Sequence, residues 1–206
     1  GVRRLDNNMR GISRLERKKA ATRQKIIDAA MNLIKANGFE ATTLDQIAEE
    51  ADVARKTLYN YYPNKEDILI DYMQQQIIAL APEVIRGLED LPDTVSRIVQ
   101  ATMGSIEWFE KELNIENLDK FCIYQMLKVL KNQDSRSGYD SILTYILKMG
   151  QAAGEIRTDI EAQELADNLE WIHVSIIIGW ANDRSIDAKE IYTKKVQLFL
   201  EGAKAR

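Results

Sequence analysis

The sequence predicts an all-α protein, and three observations predict it. Apolar residues recur at three- and four-residue intervals along most of the chain, the spacing of one helix face. Only 3 Pro and 10 Gly interrupt 206 residues. The breaks in periodicity fall on residues that cap or stop helices. This length suffices for one or two small domains with a buried core.

Residues 1–16 are polar and basic, without sustained periodicity, and read as an arm. From about Arg17 to Asn37 a helix is marked by Ile26/Ile27, Ala29/Ala30 and Leu33/Ile34. Gly38 stops it where a left-handed cap is expected, and Phe39 follows as an apolar anchor. Thr43-Leu-Asp-Gln46 is a capping-box pattern, opening a short helix that buries Leu44, Ile47, Ala48 and Ala51 and ends at Asp52. A third helix runs from about Arg55 to Tyr62, and Pro63 closes it. Asn64 caps the next, which carries Ile68, Leu69, Tyr72, Met73 and Ile77 as far as about Leu80.

Pro82, Gly87 and Pro92 mark a looser region. Asp93 or Thr94 then caps a helix reaching about Lys111, and another spans about Ile115–Lys131. The polar stretch 132–138 is a loop, followed by a helix from about Tyr139 to Ala153 that ends at Gly154. Two longer helices finish the chain, at about Glu161–Asn182 and Asp187–Lys204. The β-branched run Val174–Ile178 suits a buried strand in isolation. Its flanks put Leu165, Leu169, Ile172, Ile176 and Trp180 on one helical face, which favours a helix. Nine helices and no strand are expected.

Composition narrows the chemistry. No stretch of about 18 uncharged apolar residues would span a membrane, and no apolar signal core opens the chain. The one cysteine, Cys122, lies in an apolar run and reads as a small buried hydrophobe, which fits a reducing cytoplasm. One histidine and one cysteine leave no zinc cluster. No Walker loop, nucleophile elbow or dinucleotide fingerprint is present, so no catalytic residue, metal or cofactor is expected. The net charge of −4 is unevenly spread: residues 1–65 carry +5, residues 66–206 carry −9, and residues 1–25 hold nine basic and two acidic side chains. That asymmetry suits a nucleic-acid-binding head on an acidic body. Charge alone fits a solvated basic tail equally well.

The corner between the second and third helices carries the functional signal. Ala48 is small enough for close helix approach, Val53 plugs the corner, and Leu58 faces inward towards Ile47 and Ala51. The outward positions are Arg55, Lys56, Thr57, Tyr59, Asn60 and Tyr61, every one a hydrogen-bond donor. A short helix with that face fits the DNA major groove. An ordinary helical hairpin with a polar face is the competing reading. The corner residues, the donor chemistry and the basic upstream segment together favour the helix-turn-helix.

The run from Thr42 to Leu69 resembles the DNA-binding signature of the TetR family of bacterial regulators. Ile26–Phe39 is similar to that family's first helix, and Leu165–Trp180 with Ile191–Gly202 resemble its dimerisation helices. The resemblance implies base or phosphate contacts by Arg55, Lys56, Tyr59, Asn60 and Tyr61, and phosphate contacts by Thr43 and Lys65. Tyr62 occupies a core aromatic position. Asp52 stands where a glycine is usual, and an Asp in the left-handed region costs about 1 kcal/mol. Lys56 stands where a small residue is frequent.

The implied division is a basic arm (1–16), a helix-turn-helix domain (17–64) and a helical effector-binding and dimerisation domain (65–206). Double-stranded operator DNA, a second copy of the chain and a small-molecule effector are the implied partners, with repression as the family default. Arg10, Arg14, Arg17, Lys18 and Lys19 can add phosphate or minor-groove contacts, or form a mobile tail. Glu161–Asn182 is apolar nearly all round, so one side can face the chain's own core and the other a partner. Leu165, Leu169, Ile172, Ile176, Trp180, Ile191, Tyr192, Val196, Phe199 and Leu200 are the expected interface. Trp108, Phe121, Tyr124, Tyr145, Met149, Trp171 and His173 are the candidate effector-pocket residues. A DNA-bound organiser or activator without an effector, or a helical protein-interaction module, are the alternatives.

Overall fold

The computed structural model describes residues 13–112, 118–131 and 138–203. Among them lie nine helices and no strand: α1 (Arg14–Asn37), α2 (Leu44–Glu50), α3 (Arg55–Tyr61), α4 (Lys65–Glu89), α5 (Thr94–Glu112), α6 (Leu118–Leu130), α7 (Tyr139–Ala152), α8 (Ala162–Asn182) and α9 (Ala188–Ala203). The β-branched run Val174–Ile178 is helical, inside α8.

Helices α1–α3 form a small head around Ile26, Ile27, Ala30, Ile34, Ile47, Ala48, Leu58 and Tyr62, all nearly inaccessible. The start of α4 adds Ile68 and Leu69 to the same core. Helices α5–α9 build the bundle, with the α7–α8 and α8–α9 pairs at its centre. Leu143, Ile146, Leu147, Leu169, Tyr192 and Val196 fill it. No helix among the described residues is long and apolar enough to cross a membrane. Cys122 is buried, and burial pushes its thiol up to about 12, so it behaves as an apolar group.

Two helix ends depart from the sequence reading. Helix α1 begins at Arg14, so residues 14–16 belong to it and not to an arm. Ser13 Oγ accepts from the Glu16 amide at 3.1 Å while the Glu16 carboxylate accepts from the Ser13 amide at 2.7 Å. This is the same capping box that Thr43 and Gln46 make for α2. Helix α4 continues nine residues past Leu80, through Pro82. Pro82 offers no amide to the Ile78 carbonyl, but it lies on the exposed side, where water can take that bond. Buried Leu88 anchors the extension, and Arg97 donates to the Leu88 and Leu91 carbonyls at 3.1 and 2.7 Å, closing its end.

The turns are specified by single residues. Gly38 has φ 87° and ψ 160°, so it does not form the expected left-handed cap. That region is accessible essentially to glycine alone. Asp52 adopts the left-handed conformation at φ 52°, as its place in the corner requires. Asn64 flanks α4 but its side chain makes no cap bond, reaching instead to the Tyr124 hydroxyl at 3.2 Å. Asp93 caps α5 by accepting from the Ser96 amide at 2.7 Å. Gly38→Ala should destabilise the protein by about 1–3 kcal/mol, read as a lower midpoint in urea unfolding; an unchanged midpoint would show that the turn tolerates a side chain.

Candidate nucleic-acid interface

Helix α3 has seven residues, and one of them, Leu58, is fully buried in the head. That single anchor fixes which residues face outward. Arg55, Lys56, Tyr59 and Asn60 are exposed, while Thr57 and Tyr61 are half-buried, Tyr61 packing against the core. Val53 is half-buried in the corner, and its amide donates to the Ala48 carbonyl at 3.0 Å. Thr43 is exposed one residue ahead of α2, its hydroxyl accepting from the Gln46 amide at 3.2 Å. Tyr62 is buried, as its core position requires. The first two turns of α1 expose Arg14, Arg17, Lys18 and Lys19. Arg10 lies outside the described residues.

Lys65 is placed differently from the phosphate contact that the resemblance implies. Its ammonium donates to the carbonyls of Phe39 (2.6 Å), Thr42 (3.1 Å) and Glu40 (3.2 Å). It also lies 4.4 Å over the Phe39 ring. An ammonium has three donors, and all three are used. In this conformation Lys65 clamps the turn between α1 and α2 onto α4 instead of pointing at a phosphate.

Further polar ties fix the head to α4 and α4 to the bundle. Asp71 accepts from Arg23 at 2.6 Å and from the Tyr62 hydroxyl at 2.5 Å, joining α1, the residue that follows α3, and α4. Burial, then the carboxylate beside it, raises the Tyr62 phenol above its ordinary range. Lys35 of α1 pairs with Glu112 of α5 at 2.8 Å, which lowers the pKa of that carboxyl. Asp67 pairs with Lys128 of α6 and accepts from the Tyr124 hydroxyl at 3.2 Å.

The aromatic residues expected to line one effector pocket are dispersed. Trp108 packs 6.0 Å from Tyr72 and 5.4 Å from Phe109. Phe121 is buried in α6, Tyr124 belongs to the Asp67 network, Met149 is half-buried and Trp171 is 45% exposed. His173 is buried and stacked on Tyr139 at 4.0 Å. Of the seven, Tyr145 lines a cleft of about 420 Å³ between α4 and α7. The other walls of that cleft are Gln74, Ile77, Ile78, Ala81 and Ile85 of α4, with Gly138, Asp140, Ser141 and Ile142 of the α7 start. Sequence reasoning missed these residues because it ended α4 at Leu80, which cut the α4 wall in two.

The expected dimer face also needs correction. Leu165, Leu169, Ile176, Trp180, Tyr192, Val196 and Leu200 are buried by the chain's own bundle, and Ile172, Ile191 and Phe199 are packed against it. The large apolar groups exposed on these two helices are Trp171 (45% exposed) and Leu198 (73% exposed), while Ile178 is half-buried against the bundle.

A sequence model described as "Bacterial regulatory proteins, tetR family" matches residues 26–72, the head and the first turns of α4. The similarity continues beyond the head. The crystal structure of Thermus thermophilus FadR, a TetR family transcriptional repressor bound to lauroyl-CoA, has a TM-score of 0.69 and 28% identity, covering 89% of this chain and 96% of that one. Residues 26–72 form a TetR-family DNA-binding domain. The fatty acid metabolism regulator protein of Bacillus subtilis strain 168 is 23% identical over 86% of this chain and 93% of its own length. The repressor KstR of Rhodococcus jostii strain RHA1 is 39% identical over 26% of each chain. The protein is a DNA-binding transcriptional regulator, of a class without enzymatic activity.

The clamp and the buried histidine each give a test for this regulator. Lys65→Met should weaken binding to every duplex about tenfold while leaving the slope of log affinity against log salt unchanged; a slope shallower by about 0.9 would reveal a phosphate contact instead. Burial pushes His173 down to about 3, so it stays neutral in the fold while the unfolded chain takes up a proton near pH 6.5. Stability is therefore full above about pH 6.5 and declines as pH falls towards 3. Between pH 7.5 and 5.5 the wild type should lose about 1 kcal/mol more than His173→Phe in urea unfolding; parallel losses would contradict the assignment.

Proposed function

We propose that this regulator is a dimeric repressor that reads a palindromic operator with α3 and is released by an effector carrying a long apolar chain, of the acyl-CoA class. The observation that carries the effector assignment is the cleft between α4 and α7. Its walls are mostly aliphatic, with Ile77, Ile78, Ala81, Ile85 and Ile142 facing a volume suited to a small ligand. A Cβ added at Gly138 would meet Ile77 Cγ2 at 3.3 Å, and the Tyr145 hydroxyl donates to Glu89 at 3.0 Å. These two contacts set α4 and α7 running the same way along the cleft. Exposed Arg86 and Lys148 lie one helical turn along from Glu89 and Tyr145 respectively, and are the cations we assign to a phosphorylated headgroup. Thermus thermophilus FadR, solved with lauroyl-CoA, supplies the chemical precedent.

Helix α4 gives such a ligand its leverage. One end of α4 lines the cleft; the other is clamped to the head through Lys65 and Asp71. A chain wedged between α4 and α7 tilts α4, and the head moves with it. A coupling of 1–3 kcal/mol weakens operator binding roughly 5- to 150-fold. A dimer formed through exposed Trp171 and Leu198 doubles the bases read, with half-sites about 34–36 Å apart. Arg55, Lys56, Tyr59 and Asn60 reach the bases or phosphates, Thr43, Thr57 and Tyr61 support them at the edge of that surface, and Arg14, Arg17, Lys18 and Lys19 add phosphate contacts. The head comprises residues 14–64, the effector-binding and dimerisation bundle begins at Lys65, and the protein works in the reducing interior of the cell.

The test is selection of duplexes from a random pool, followed by titration of acyl-CoA esters into the labelled operator complex, with chains of roughly 8 to 18 carbons to span the capacity of such a cleft. A palindrome should be selected, and long-chain esters should release it while free CoA does not. Absence of any sequence preference would overturn the DNA-reading assignment; retention of the complex against every ester would overturn the effector class.

A further inference from the structure

Asp45 lies in the first turn of α2, across the corner from α3, and its carboxylate grips the first residue of the reading helix. Arg55 Nε donates to Asp45 Oδ1 at 2.5 Å, and Arg55 Nη2 pairs with Oδ2. We propose that Asp45 is a specificity-determining residue that holds the Arg55 guanidinium in the orientation that reads a guanine in each operator half-site. The inference rests on the DNA-reading assignment above and assigns a base to it.

Donor geometry decides which base Arg55 can read. A guanidinium has five N–H donors in a rigid fork. Asp45 takes the side-on pair, one from Nε and one from Nη2. The end-on pair remains, one donor on Nη1 and the second on Nη2, parallel and directed away from the carboxylate. Two parallel N–H groups match the O6 and N7 acceptors that guanine shows in the major groove, and no other base shows two acceptors there. The exposure of the pair points the same way. Arg55 is 69% exposed and Asp45 44%, so the ion pair adds little to the stability of the fold. Its consequence is to remove side-chain freedom from Arg55 before DNA arrives, which lowers the entropy lost on binding. Asp45 is itself held in place, because the reciprocal bonds between Thr43 and Gln46, at 3.2 and 2.9 Å, fix the turn of α2 that carries it.

The experiment compares duplex selection by the full-length wild type, Asp45→Ala, Asp45→Asn and Arg55→Ala, each checked for an unchanged melting temperature. Wild type should enrich guanine at one position of each half-site, and Arg55→Ala should erase that preference alone. Both Asp45 variants should reduce the discrimination at that same position about tenfold and leave every other position as it was. Adding Asp45→Ala to Arg55→Ala should change nothing further, the mark of a residue acting through another. If wild type enriches a palindrome and the Asp45 variants reproduce it in full, Asp45 has no such role. An even loss of preference at all positions, with a lowered melting temperature, would likewise overturn it by showing damage to the corner. If wild type enriches nothing, the DNA-reading assignment itself has failed.

Discussion

A helix of seven residues is too short to persist alone in water, so α3 exists because Leu58 is buried in the apolar core of the head. That one side chain sets the rotation of the helix. With Leu58 inward, Arg55, Lys56, Tyr59 and Asn60 are outward by geometry, and Asp45 further fixes the orientation of Arg55. The corner is equally constrained. Asp52 accepts the left-handed conformation, and Ala48 lets the two helices approach. Truncating Leu58 removes both the helix and the surface that it presents.

The connection between head and bundle is of a different kind. The head shares an apolar core with the start of α4. Further along, side-chain pairs reach across: Lys35 to Glu112 and Asp67 to Lys128. Partly exposed ion pairs are individually weak and are replaced by water with little penalty. The head is thus rigid within itself, fixed to one long helix, and lightly held elsewhere. This is the arrangement a lever needs: the ion pairs that reach from the head and the start of α4 to the bundle are weak, while Leu88 anchors the far end of α4. Lys65 fits this division of labour. Its three carbonyl bonds tie the α1–α2 turn to α4.

Much of this was legible in the sequence, and the failures have physical causes. All nine helices were readable from periodicity and punctuation, and the Thr43 capping box, the Asp52 turn and the inward Leu58 followed from local rules. The Ser13–Glu16 box was equally visible, yet the surrounding polar residues hid it: α1 starts with two exposed turns, so no apolar period announces them. Pro82 misled in the opposite sense, since a proline on the exposed face of a long helix removes one bond without ending it. Residue roles at a distance were the least readable. Periodicity gives a helix its faces but not which neighbour covers each, so the apolar faces of α8 and α9 that suggested a partner turned out to face their own bundle. The cleft between α4 and α7 arises from a crossing of distant segments, and the grip of Asp45 on Arg55 spans the corner with no motif to mark it.

The central claim is that α3 enters the major groove with its cationic and aromatic face, twice, on one side of a duplex. Protection of operator guanine N7 atoms from methylation by dimethyl sulfate reads the major groove directly. Two protected clusters, separated by one helical turn or a multiple of it and related by the operator's symmetry, are the predicted result. Full reactivity of every guanine N7 in a saturated complex would contradict it, because the protein would then be held by the backbone or the minor groove alone.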